Sequence, residues 1–131
     1  MRPSIVLGFV AAVAAAVTFD VAASADGSPP APTIAVSSGS ITVTANGGAH
    51  INPGFPWYFK DGTGTKVKKV ADFSFPGADA AKTRADAATV SGVPASGTLR
   101  GAYCTTDATG NGSCYTFTAA CTATACSITG I

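Results

Sequence analysis

Residues 101–117 read GAYCTTDATGNGSCYTF: two β-prone arms around a polar, glycine-rich centre, with a cysteine at the inner end of each arm. Asp, Asn and Gly between β-branched and aromatic residues mark a hairpin. When 98–104 and 114–118 pair antiparallel with Cys104 facing Cys114, Tyr103 opposes Tyr115 on one face and Gly101 lies opposite Phe117. An aromatic cross-strand pair contributes roughly 0.2–1 kcal/mol, and a glycine leaves room for a phenyl ring. The same register brings the two sulfurs within bonding reach. Closing a loop of this length stabilises a fold by about 2–3 kcal/mol on the chain-entropy account.

Outward from this hairpin, short β-prone runs recur between turn residues: 34–36, 40–44, 57–59, 66–70, 87–93, 98–104, 114–118 and 127–131. Short strands at this spacing predict an all-β chain folded as an antiparallel sandwich of about 7–8 strands. The alternation is clearest in SITVT, 40–44, where Ile41 and Val43 share one face and Ser40, Thr42 and Thr44 the other. That is the period of a half-buried strand. Asn46-Gly47 then supplies a positive-φ turn. GADAAKTRADAA, 77–88, is rich in alanine, and Asp79 is a candidate cap, but it lacks large apolar residues for a buried stripe. It is read as a surface loop or at most a short helix.

The amino-terminal end carries Arg2, an apolar run over 5–17 and then Ala23-Ser24-Ala25. This is the order of a secretory signal peptide over 1–25, and the run is shorter than the ~20 residues a membrane-spanning helix needs. The expectation is an exported protein, periplasmic or extracellular, with no transmembrane segment in the mature chain. A proline-rich lead, 26–33, precedes one domain over 34–131. With the leader removed, seven Lys and Arg face six Asp, and there is no Glu. Such a balance gives no bulk field to attract nucleic acid or an anionic membrane.

All four cysteines, Cys104, Cys114, Cys121 and Cys126, lie near the carboxyl end, and in an exported chain paired cysteines are the default. Of three connectivities the local one, 104–114 with 121–126, is preferred. Zinc is the weaker reading, because finger knuckles want cysteines two to four residues apart. For Cys104–Cys114 two roles stay open: a hairpin staple, or a redox pair, whose thiolate needs activation by a nearby cation. Arg100, on the same strand face as Cys104, is the nearest in sequence.

Other motifs reduce to structure. DATGNG, 107–112, has the alternation of a calcium loop without its later glutamate, and is read as a reverse turn. GTGTK, 62–66, lacks the spacing of a phosphate loop and is read as a hairpin turn into KVKK, whose lysines discourage edge-to-edge pairing. His50, the sole histidine, is read as a hydrogen-bonded structural residue. Trp57, Tyr58 and Phe59 are read as core and rim. Asn111-Gly112-Ser113 is a formal glycosylation sequon. No metal, cofactor or catalytic constellation is evident. The chain is thus read as a structural or interaction domain with an unidentified protein partner, more a binding module than an enzyme.

Two segments, HINPGFPWYF (50–59) and GAYCTTDATGNGSCYTF (101–117), together resemble the amino-terminal periplasmic domain of the thiol:disulfide interchange reductases. The resemblance covers about a quarter of the mature chain. It implies an immunoglobulin-like sandwich and a redox pair at Cys104 and Cys114 that passes electrons to partner proteins. The chain departs from that family in its longer inter-cysteine loop, in YTF after the second cysteine, and in Cys121 and Cys126, which have no counterpart.

Overall fold

The computed structural model describes residues 30–106 and 112–131. The expected leader, most of the proline-rich lead, and the loop centre with most of the calcium-like stretch and Asn111 of the sequon lie outside the described residues. The described chain is all-β, with strands β1 (Thr33–Ser37), β2 (Ser40–Thr44), β3 (His50–Ile51), β4 (Tyr58–Asp61), β5 (Lys66–Lys69), β6 (Ala87–Val90), β7 (Gly97–Thr106), β8 (Gly112–Cys121) and β9 (Cys126–Gly130). Val70–Asp72 forms one 3-10 turn. Two antiparallel sheets pack face to face: a small one ordered β1-β2-β6, and a large one ordered β5-β4-β7-β8-β9 with β3 also paired to β7.

β7 organises the large sheet. β8 runs along its whole length on one edge, while β4 and then β3 occupy successive parts of the other. The register is the one the sequence predicts, with Cys104 opposite Cys114, Tyr103 opposite Tyr115 and Gly101 opposite Phe117. The Tyr103 and Tyr115 rings stack with centroids 5.5 Å apart. Odd-numbered residues of β7 and β8, Leu99, Tyr103, Phe117, Ala119 and Cys121, enter the core, where they meet Ile41, Val43, Ala88 and Val90 of the small sheet. Each large side chain fully buried there contributes about 1.5–3 kcal/mol relative to exposure.

The space at Gly101 is filled differently from the expectation. A Cβ there would lie 2.2 Å from the six-membered ring of Trp57, so the glycine admits an indole, which in turn meets Phe117 edge-on at 5.8 Å. Trp57 also contacts Phe73 and Phe75, and its Nε1–H donates to the Asn52 carbonyl at 2.8 Å. A buried indole needs such an acceptor for its one polar atom.

The loops follow local chemistry. Between β4 and β5, Asp61 Oδ1 accepts from the Thr63 and Thr65 amides, and Gly64 takes φ +87°. Residues 62–66 are therefore a hairpin turn, as read, and β5 is an edge strand. Residues 77–86 form turns and no helix: Asp79 accepts from the amides of Thr83 and Arg84 and from the Thr83 hydroxyl, closing a loop instead of capping a helix. β6 ends at Val90, before Gly92 at φ +70° and Pro94, shorter than the predicted 87–93.

Candidate functional site

Even-numbered residues of β7 point away from the core, and Cys104 is among them. Cys104 and Cys114 are bonded, with Cα atoms 4.0 Å apart, as cross-strand neighbours on the outer face of the large sheet. The two sulfur-bearing residues differ in access: Cys104 is buried, Cys114 exposed. A thiolate arriving from outside therefore meets the Cys114 side of the bond.

β3 brings a residue that sequence spacing does not associate with this bond. His50 pairs directly with Cys104, so both occupy the same face of neighbouring strands. The Nδ1 atom of His50 is buried and lacks a hydrogen-bond partner among the described residues, unlike the hydrogen-bonded histidine expected. Burial, aided by the Arg84 charge and opposed by that of Asp79, holds the imidazole below the ordinary histidine range. It is thus mainly a neutral ring at pH 7. Only the alternation of a two-residue strand could have signalled this pairing, and two residues carry no readable period.

Arg100 shares the face of Cys104, as its parity requires. Its guanidinium turns toward β8, donating from Nη1 to Thr118 Oγ1 at 2.6 Å and from Nη2 to Thr116 Oγ1 at 3.3 Å. Its hydrogen bonds thus go to threonines, which weakens it as an activator of a thiol. Beside it on β4, Tyr58 is half-buried, with Lys60 Nζ 5.3 Å and Lys66 Nζ 4.5 Å from its ring centroid. Trp57 and Phe59, by contrast, are core residues.

The second bond, Cys121–Cys126, joins β8 to β9 across a turn of four residues, again with Cα atoms 4.0 Å apart. Cys121 lies in the core and Cys126 packs against it. Among the described residues no three of His, Cys, Asp and Glu converge as metal ligands, and no helix is long and apolar enough to cross a membrane. Compared with known proteins, the chain matches no family model, no curated protein and no solved structure.

Proposed function

We propose that this chain is an exported β-sandwich, periplasmic or extracellular, whose disulfides are staples and whose task is to bind rather than to catalyse. One observation carries the reading: each disulfide spans adjacent antiparallel strands of one hairpin, so each closes a contact that the sheet already makes. A disulfide that serves only as a staple has a potential below about −300 mV, whereas thiol shuttles lie at roughly −270 to −120 mV. Equilibration of the oxidised protein with dithiothreitol, read by thiol alkylation and mass spectrometry, distinguishes the two. A Cys104–Cys114 potential in the shuttle range would overturn the staple reading.

The second reading is a thiol–disulfide exchange module using Cys104 and Cys114, in the manner implied by the resemblance to the interchange reductases. It is supported by the unequal exposure of the two sulfur-bearing residues and by His50 beside the buried one. The segments that carry the resemblance are also neighbours in space, joined by the β3–β7 pairing and by Trp57 over Gly101. Under this reading a Cys104→Ser variant, which keeps the exposed thiol, accumulates a mixed disulfide with a partner in cells. Under the staple reading no specific adduct forms.

A further inference from the structure

We infer that the outer face of the large sheet around Tyr58 binds a linear acidic polysaccharide, which rests on the binding-module reading and names its partner class. The net charge of the chain is only +1, yet its cations are sorted. One row across the sheet runs Lys69, Tyr58, Arg100, Thr118, and the next runs Lys66, Lys60, Thr98, Ala120. Residues paired in register share a face, and neighbouring strands lie about 4.8 Å apart, so four cations frame one tyrosine within two or three strand widths.

Two features of the β4–β5 pairing produce this clustering. Lys66 and Lys69 are three residues apart and in a regular strand would point to opposite faces; the bulge between the Phe59 and Lys60 pairings puts both on the outer one. Lys60 and Lys66 are then directly opposed, a like-charge pair that destabilises a sheet. The adjacent carboxylates are hydrogen-bonded elsewhere. Asp61 is turned into its own loop by Thr63 and Thr65, and Asp72 Oδ2 accepts the Lys69 backbone N–H at 2.9 Å.

The chemistry of the face selects among anionic partners. Protein interfaces bury an apolar or aromatic centre, but the one ring here lies beneath two ammonium groups. The same cover denies unpaired bases a stacking platform; Arg100, whose planar fork suits phosphate and carboxylate alike, has two of its donors on Thr118 and Thr116, which leaves the lysines, as separate point charges, to carry the contact. What remains is a track of ammonium groups and threonine hydroxyls, suited to separate carboxylate or sulfate charges along a hydroxyl-bearing chain.

The test uses the oxidised mature protein and polygalacturonate, with uncharged dextran as control and duplex DNA and phosphatidylglycerol vesicles as competitors, followed by calorimetry and affinity electrophoresis. Expected is binding to polygalacturonate that weakens about tenfold as salt rises and the Debye length contracts, with none to dextran. Lys60→Gln with Lys66→Gln should lose about tenfold or more while keeping the far-ultraviolet dichroism, and Lys82→Gln should bind as the parent does. No binding, equal binding by the double variant, equal retention by dextran, or tighter binding to DNA or vesicles each overturns the inference. Lost binding with a staple-range potential removes only this partner class; intact binding with a shuttle-range potential removes only the staple reading.

Discussion

The two disulfides of β8 share their chemistry and their strand but occupy opposite environments. Cys121–Cys126 lies on the core side, over a turn already closed by the Thr122 amide on the Ala125 carbonyl at 2.7 Å and by Thr122 Oγ1 accepting from the Thr124 and Ala125 amides. Cys104–Cys114 lies on the outer face, with one residue exposed, at the mouth of a longer loop. Strand parity thus decides what surrounds a cross-strand bond: inward, Cys121 is buried and Cys126 half-buried against the core, whereas outward Cys114 is exposed.

The largest test of that contrast removes packing from the strand that both bonds share. Phe117 is fully buried between them, and Phe117→Ala should cost about 3–5 kcal/mol in denaturant unfolding. A loss smaller than that from removing either disulfide would mean that covalent closure, not the core, holds this sheet. Next, replacing Cys104 and Cys114 together by serine should cost about 3 kcal/mol, and replacing Cys121 and Cys126 together by alanine about 2 kcal/mol, because the first pair closes the longer loop. The reverse order would mean that loop length does not set the difference between the two bonds.

Reagent access gives the third test. Under limiting reductant, Cys104 and Cys114 should be alkylated before Cys121 and Cys126, as followed by peptide mapping; simultaneous labelling would show that the outer position confers no access. The smallest expected effect is on pH dependence. His50 is held below its ordinary range, so between its folded and unfolded pKa values the unfolded chain binds the extra proton. Stability should therefore be whole above the unfolded value of about 6.5 and decline as pH falls through it. His50→Gln should flatten that decline between about pH 7.5 and 5.5, and equal slopes in parent and variant would place its origin elsewhere.

Much of this contrast is legible in the sequence. The spacing of Tyr103, Cys104, Cys114 and Tyr115 about a turn favours the register that forms, and SITVT alternates so regularly that its buried face needs no structure to read. What is not legible depends on contacts between distant segments. Nothing local tells that the ring beside Gly101 belongs to Trp57 and not Phe117, because the indole arrives from a loop before β4. His50 reaches Cys104 through a strand too short to show a period. The cation cluster depends on a bulge, and a one-residue irregularity inverts every parity inference beyond it.

Cys114 and Cys121 are an odd number of residues apart on one strand, which is why their bonds lie on opposite faces. A one-residue slip of β8 would turn Cys114 inward and Cys121 outward, away from both partners, so only the correct alignment can be oxidised in both hairpins. The closed Cys121–Cys126 bond also ties β9, the terminal strand of the large sheet, to β8 of the same molecule. Two copies oxidised in this way cannot trade their last strands, so the route to a domain-swapped dimer through β9 is shut once the bond has formed.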